Sequence, residues 1–293
     1  MMKKLLTLTL ALLLAVSCMP MALADSVTPR GYLVLGEDLN EEQADKVLEF
    51  LKVDNLSDYS VSYTTNKEEH AAFDDYLGPE VVGSKALSSI LLTPREKGAG
   101  ITVSSYNITY CTVEMYQNAL ISAGVKDVDV AIAAPVPVSG TCALVSAMNA
   151  YSTLTGKKLD SEAADVAAAE LVTTGEVADV IGDKDAAAQL IAALKQKMVE
   201  EDMDEDQLSV AVDQVSDQLG VALDQKRKEQ VIELLLRIKN TDIDVDQLAS
   251  QAGDLYKKVS GLVEGMNIQP RQAAGFLEKL MDIVFGLLKS FKG

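Results

Sequence analysis

The 293-residue chain has no Trp, one His and three Cys, and these scarcities exclude several kinds of site. A chain whose single histidine is His70 cannot build a zinc site or a catalytic mechanism that needs two imidazoles. Lys and Arg total 26 against 44 Asp and Glu, a formal net charge of −18. Because nucleic-acid binding needs clustered Lys and Arg, this acidic balance argues against a nucleic-acid partner.

Catalytic sequence patterns are also missing. The chain contains neither the Gly-x-Ser-x-Gly nucleophile elbow nor the His-Glu-x-x-His zinc motif. His70 follows Glu69 on a predicted polar helix face, where we expect a solvated surface histidine. Without Trp, a carbohydrate platform would depend on Tyr63, Tyr106 and Tyr110. These features favour a non-enzymatic protein.

The first 24 residues have the pattern of a secretory signal peptide. Lys3 and Lys4 precede an apolar run over residues 5–16, and Ala22-Leu23-Ala24 places small residues where a signal peptidase cuts. The apolar run is too short for an ordinary transmembrane helix. We therefore expect cleavage after Ala24 and a secreted or cell-envelope-associated protein.

Each cysteine leaves an alternative open. Cys18 could be acylated in a lipoprotein, although Ala15-Val16-Ser17 is a poor lipobox. Cys111 and Cys142 would remain after cleavage and could form a disulfide outside the cytosol. Two small buried thiols are an interpretation at least as well supported, because two cysteines do not make a disulfide framework.

Hydrophobic residues make up 48% of the chain, which is enough for a core. The distribution of proline and tyrosine divides the chain into two parts. Five prolines lie between Asp25 and Pro137 and the next is Pro270, while eight of nine tyrosines lie at or before Tyr151. A long Pro-free stretch rich in Ala, Leu and Gln predicts helices. We predict an α+β or α/β fold, with a mixed-sheet α/β domain over residues 25–158 and an all-α helical-hairpin region over 159–293.

Within the first part, the patterns predict the element order β-α-β-α-β-β-α-β-α. Asn40 with Gln43, and Asn66 with Glu69, have the spacing of capping boxes at the first two helices. Residues 94–100 are predicted to connect the third and fourth strands as a β-hairpin.

The second part contains an approximate 40-residue repeat. Residues 189–191 lead to Met203-Asp204-Glu205-Asp206-Gln207-Leu208, and residues 230–232 lead to Ile243-Asp244-Val245-Asp246-Gln247-Leu248. Each unit predicts a helix, an acidic turn and a second helix, so two hairpins could bury faces that neither buries alone.

Several blocks of sequence resemble a known family. They are Ile101–Tyr110, Met115–Leu120, Ala123–Asp127, Ala133–Thr141 and Asp242–Leu248. In this order they are similar to the secreted YpuA-like family of Gram-positive bacteria, domain of unknown function family number 1002. The resemblance implies export from a Gram-positive cell and no assigned reaction. Cys142 departs from the small residue expected after Ser-Gly-Thr, so any Cys111–Cys142 link belongs to this chain rather than to the family.

The segment 135–141 is the strongest candidate for a ligand site. It follows a predicted buried strand and opens a helix, so backbone N–H groups beside Ser139, Gly140 and Thr141 could hold a phosphate or carboxylate. The favoured alternative is structural, with Ser139 or Thr141 as N-cap and Pro135 and Pro137 setting a rigid turn.

The two acidic turns resemble the start of a calcium-binding loop. Alternating carboxylates can converge on one hard cation, and the residues concerned are Asp202, Asp204, Asp206, Asp242, Asp244 and Asp246. The EF-hand positions for Gly and Glu are not matched. Capping of helix starts by these aspartates is therefore the favoured interpretation, with calcium as the alternative.

The C-terminal residues predict an amphipathic helix with a broad apolar stripe. Its candidate contact residues for a membrane surface or an envelope partner are Phe276, Leu280, Phe285, Leu288 and Phe291. Packing within the helical region is the favoured alternative.

Three functions therefore stay open. The first is a non-enzymatic binding or structural protein at the cell envelope, and the second is a small-anion or calcium-binding module. The third is an envelope hydrolase, which a cavity lined by carboxyl groups with raised pKa values would favour.

Overall fold

The structure is a computed structural model that describes residues 30–219 and 223–241. In these residues a five-stranded sheet is followed by long helices, so the fold class is α+β. The strands are β1 (Tyr32–Gly36), β2 (Ser60–Thr64), β3 (Ser89–Pro94), β4 (Ile101–Ile108) and β5 (Val128–Val138). The helices between and after them are α1 (Glu41–Phe50), α2 (Asn66–Phe73), α3 (Pro79–Val82), α4 (Val113–Ser122), α5 (Thr141–Thr155), α6 (Ser161–Ile181), α7 (Lys184–Glu200), α8 (Glu205–Leu219) and α9 (Gln225–Lys239).

The sheet has the strand order β2-β1-β3-β5-β4. The pairs β1–β2 and β4–β5 are parallel, and β3 is antiparallel to both of its neighbours. The carboxyl ends of the four other strands therefore meet the beginning of β3 at one edge of the sheet. The predicted element order is confirmed with the short helix α3 added. The predicted hairpin is wrong, because β5 lies between β3 and β4 and pairs with both.

The last strand is longer than expected. Pro135 and Pro137, predicted to set a turn, instead continue β5 to Val138. Pairing with β3 ends at Ala133, so β5 then has β4 as its neighbour on one side. A proline without an N–H is tolerated where a strand has no partner on one side.

The two faces of the sheet have different helix cover. On one face Leu33 and Leu35 of β1 pack with Val47 of α1 in a small apolar cluster. The other face packs against α4 and α5 in the largest cluster. That cluster continues past residue 158 through Ala167, Ala168, Leu171, Val172 and Ala188. The sheet therefore shares one core with helices α6 and α7.

A further cluster joins helices α6 to α9. Leu190, Ile191, Leu208, Val231 and Leu235 are among its fully buried members. The first repeat unit folds as predicted into α7, a turn and α8, whereas the second continues from α9 into residues outside the described part. Within the described residues, no helix has both the length and the apolar character that crossing a membrane requires.

Candidate functional site

A cavity of about 280 Å³ lies at the edge of the sheet where the carboxyl ends of the strands meet. One wall comes from α2, a second from residues 78–88, which we call the strap, and a third from the β5–α5 connection. Its polar and charged lining residues are Glu69, Glu80, Ser84, Lys85, Ser88, Ser139 and Cys142. The segment singled out from the sequence thus borders a cavity, together with residues from two distant parts of the chain.

Glu69 is the buried carboxyl group of this cavity, with 2% of its surface exposed. One carboxyl oxygen accepts a hydrogen bond from Thr141 Oγ1 at 2.6 Å, and the other accepts from Asn66 Nδ2 at 3.2 Å. The backbone N–H of Cys142 also hydrogen-bonds to it. Burial raises the pKa of Glu69, and the three donors oppose that shift without cancelling it.

The capping register of α2 explains why Glu69 points inward. Thr65, not Asn66, is the N-cap, and it exchanges hydrogen bonds of 2.8 and 3.1 Å with Glu68. The predicted capping box was therefore one residue late. With Glu68 as the outward-facing partner, Glu69 falls four residues before the fully buried Phe73, on the inner face of the helix. The Thr-x-x-Glu spacing was the sequence signal that could have shown this.

The start of α5 is not capped as predicted. The N-cap is Gly140, and neither Ser139 nor Thr141 caps the helix through its side chain. Thr141 donates to Glu69 instead, while Ser139 Oγ lies 3.1 Å from Thr141 Oγ1. A carboxylate does sit at this helix start, as its N–H groups favour. That carboxylate belongs to the protein itself.

Gly140 lies against the side chains of Tyr116 and Ile108. Its φ is +95°, and a Cβ at this position would meet the Tyr116 hydroxyl and the Ile108 side chain. Tyr116 is fully buried, and its hydroxyl donates to the Gly140 carbonyl at 2.6 Å. The positive φ and the lack of space for a Cβ together favour glycine at this turn.

Two anchors hold the strap. At its middle His70 Nε2 lies 2.9 Å from the Gly83 carbonyl oxygen, and the Nδ1 of the same ring lies 2.5 Å from Asp74 Oδ1. Near its C-terminal end Asp38 Oδ2 accepts from the Ala86 N–H at 2.8 Å. His70 is thus at the surface with 30% of its side chain exposed, and it also makes two contacts that the expectation of a solvated surface histidine did not include. A ring facing two acceptors needs both N–H groups, and the bond to Asp74 raises the pKa of His70.

Cys111 and Cys142 are both buried free thiols. Burial raises the pKa of each to about 12, so almost none of either is thiolate at neutral pH. Cys142 lines the cavity, where it hydrogen-bonds to Ser88 and Ser146. The structure therefore agrees with the interpretation of two small buried thiols and not with the alternative of a Cys111–Cys142 disulfide.

The first acidic turn is used for capping and ion pairing. Asp204 and Gln207 exchange two hydrogen bonds of 2.9 Å at the start of α8, which confirms capping for Asp204. Asp202 pairs with Lys239 at 2.7 Å, and Asp206 borders a groove beside the exposed Val210. Among the described residues, no group of three acidic, His or Cys side chains is placed to hold a metal ion.

Several candidate residues lie outside the described part of the chain. They are the signal peptide over residues 1–24 with Cys18, the second acidic turn (Asp242, Asp244, Asp246), and the apolar stripe (Phe276, Leu280, Phe285, Leu288, Phe291).

The tyrosines do not form one platform. Tyr63 on β2 and Tyr106 on β4 are 63% and 50% exposed, but these strands are the opposite edges of the sheet. Tyr110 is half-buried, and Lys184 Nζ lies 5.0 Å from the centre of its ring. A carbohydrate surface made of all three is therefore excluded by their separation.

A second polar cluster, not foreseen from the sequence, lies between α4, α6 and α7. Lys195 Nζ donates to Glu170 Oε1 at 2.7 Å and lies 3.1 Å from Ser122 Oγ, which in turn donates to Glu170. A Ser–Lys pair can act as nucleophile and base. Here both Lys195 and Glu170 are 0% exposed, so the cluster is a closed structural ion pair.

Together these features define an α+β protein with a small, carboxyl-lined cavity at the carboxyl ends of its strands. The family described as "Protein of unknown function (DUF1002)" matches residues 35–255. "Uncharacterized protein YpuA" of Bacillus subtilis (strain 168) is 35% identical over 264 residues, which cover 89% of this chain and 88% of that protein. The chain belongs to the DUF1002 family. No solved structure matches it.

Proposed function

We propose that the protein is a non-enzymatic binding protein that holds a small ligand in the cavity under the strap. The observation that carries this proposal is the Glu69 carboxyl group, 2% exposed and yet part of a cavity wall. Burying a carboxyl group costs several kcal/mol, and buried groups with shifted pKa values concentrate at functional sites. A volume of about 280 Å³ suits a ligand at the small end of the usual range.

The chemistry of the cavity favours binding over covalent catalysis. Burial raises the pKa of the Cys142 thiol to about 12, so it is scarcely ionised at neutral pH and is a poor nucleophile. His70 is directed at Asp74 and the strap rather than at a lining hydroxyl. A nucleophile needs an adjacent base that is free to take its proton.

A ligand-binding role can be tested by a fragment screen followed by amide chemical-shift mapping. We expect fragments to shift the amide signals of residues 83–88 and 139–142. Ser139→Phe should abolish this binding by filling the cavity, while the matched control Ser57→Phe, on an exposed turn, should not. Fragments that bind Ser139→Phe as well as the wild type would contradict the proposal, provided that circular dichroism shows the variant folded.

A hydrolase is the second candidate, because Glu69 has the raised pKa of a general acid and Glu80 adds a second carboxyl group to the cavity lining. Purified protein would be incubated with peptidoglycan and with chromogenic glycosides. Turnover that Glu69→Gln abolishes would replace the binding proposal with this one. Product formation equal in the variant would instead indicate a contaminant.

We also propose that the protein is exported and acts at the cell envelope, on the strength of the signal-peptide pattern in residues 1–24. Medium, wall and membrane fractions would be blotted, and retained protein extracted with chelator, salt and detergent in turn. Release by chelator would support the calcium alternative at the acidic turns. Release by detergent alone would support the apolar C-terminal stripe or acylated Cys18, and protein found only in the medium would contradict retention at the envelope.

A further inference from the structure

We infer that the ligand of the cavity is a small organic cation with an ammonium or guanidinium group. This inference rests on the proposed binding function. It comes from one juxtaposition: the Glu69 carboxyl group on α2 lies against the start of α5, where an anionic ligand would otherwise bind.

Two donors at the start of α5 are already used. The Thr141 hydroxyl and the Cys142 N–H both donate to Glu69. A phosphate or carboxylate ligand would have to displace Glu69 from these donors or lie beside its charge. Like charges at close range in a poorly solvated site disfavour the ionised forms.

The remaining polar groups on the cavity surface are mainly hydrogen-bond acceptors. Glu69 is buried, Glu80 is an exposed carboxylate of the lining, and the hydroxyls of Ser88 and Ser139 can accept. Lys85 is the basic side chain among the described lining residues, and it is exposed. A cation would gain a charge-assisted hydrogen bond to a partly desolvated carboxylate, which is about twice as strong as a neutral one.

A bare metal ion fits less well than an organic cation. Calcium takes about six to eight oxygen ligands, and no group of three acidic, His or Cys side chains is suitably placed in the described part of the chain. An ammonium or guanidinium group needs one carboxylate and a few neutral acceptors, which this cavity supplies. The net charge of −18 also raises the local concentration of cations.

Binding should be linked to the protonation of Glu69. An organic cation pairs with the ionised carboxylate, so binding displaces a proton from the fraction that carries one. Affinity should therefore increase as pH rises through the raised pKa of this group and then level off.

The test uses probes of similar size and different charge on the full chain. Ethylammonium and guanidinium are compared with ethanol, urea, acetate and calcium by following the amide signals of residues 83–88 and 139–142. We expect the two organic cations to bind there. Glu69→Gln should weaken their binding at least about tenfold, which is the loss of one charge-assisted hydrogen bond. The matched control Glu41→Gln, on the exposed start of α1, should bind as the wild type does.

The outcomes separate this inference from the proposed function. If ethanol, urea or acetate shifts the cavity signals as strongly as the cations, the cation inference is overturned and the binding function stands. Calcium binding alone, or no shift with any probe, also overturns it, and the fragment screen then decides the binding function. If Glu69→Gln fails to fold, Glu80→Gln replaces it, because Glu80 is exposed and its loss should weaken the cations but not urea.

Discussion

At the scale of single residues, Gly140 and Glu69 determine the shape and charge of the cavity. Gly140, which precedes α5, has a positive φ, and its carbonyl oxygen accepts a hydrogen bond from the Tyr116 hydroxyl. That turn places Thr141 within 2.6 Å of the Glu69 carboxyl group. One backbone conformation that favours glycine thus allows one carboxyl group to be buried.

Gly140→Ala should lower the free energy of unfolding by about 2–5 kcal/mol. The positive φ costs a residue with a Cβ about 1–2 kcal/mol, and the clash with Tyr116 and Ile108 adds a cost typical of overpacking. Gly156→Ala is the control, because its φ of +65° carries the first cost while the space around it is open. Urea unfolding measures both. Equal losses would show that Tyr116 and Ile108 yield to the new methyl group.

Glu69→Gln should change how stability depends on pH. Because burial raises the pKa of Glu69 in the folded state, folding favours the protonated carboxyl group. Its stabilising contribution is full below the usual Glu pKa of 4.5 and falls as pH rises through the raised value. The wild type should therefore lose stability relative to Glu69→Gln over that window, measured by urea unfolding at a series of pH values. A constant difference would contradict a raised pKa.

At the scale of elements, the strap depends on a histidine that faces two acceptors. His70 connects α2 to the strap through the Gly83 carbonyl, and Asp74 holds its other nitrogen. A further charge that acts on the ring is Glu69 on its own helix. The protonated ring satisfies both acceptors, whereas the neutral ring has one N–H to donate.

The pKa of His70 should lie above 6.5, and the stability from the strap contact should be lost at high pH. A raised folded pKa gives a contribution that is full below 6.5 and disappears as pH rises through the folded value. The chain has one histidine, so its Cε1–H proton signal reports this pKa directly. Asp74→Asn should lower the value, because the bond to Asp74 is the main cause of the shift. A wild-type pKa at or below 6.5 would contradict the double contact.

The types of the helices and strands could be predicted from local sequence patterns, but the pairing of the strands could not. The capping box of Asn40 and Gln43 at α1 is confirmed, because a cap depends on residues three positions apart. The predicted hairpin between β3 and β4 is wrong. The sequence of residues 94–100 indicates a connection between antiparallel strands, but it does not show whether those strands are direct neighbours in the sheet. The insertion of β5 between the two depends on apolar contacts distant in sequence.

At the scale of the whole molecule, a shared core joins the sheet to α6 and α7, and a buried ion pair lies between α4, α6 and α7. Glu170 on α6 and Lys195 on α7 meet beside Ser122 on α4, and all three are buried. No sequence pattern indicated this contact, because charged residues on helices usually face solvent. The predicted division at residue 158 was based on composition, and it stays a prediction.

Lys195→Ala should destabilise the protein by about 3–5 kcal/mol, because it leaves the Glu170 charge buried without a partner. The triple variant Ser122→Ala, Glu170→Leu, Lys195→Met removes the charges together and should recover most of that loss. Far-UV circular dichroism and Tyr fluorescence would follow urea unfolding, since eight of nine tyrosines lie at or before Tyr151. A cost near zero for Lys195→Ala would show that water reaches Glu170.

Local periodicity and spacing were enough to specify the kinds of elements and their order, because helices, strands and caps depend on residues close together in the chain. The family was indicated separately, by the resemblance of whole blocks of sequence. They also directed attention to residues 135–141, since a buried strand followed by a helix start is a local pattern. The cavity itself depended on tertiary packing: Glu69 and Thr141 are 72 residues apart, and the strap comes from a third segment. The same packing brings a carboxyl group from α2 to the helix start where an anionic ligand was one candidate, because side chains from distant segments meet there.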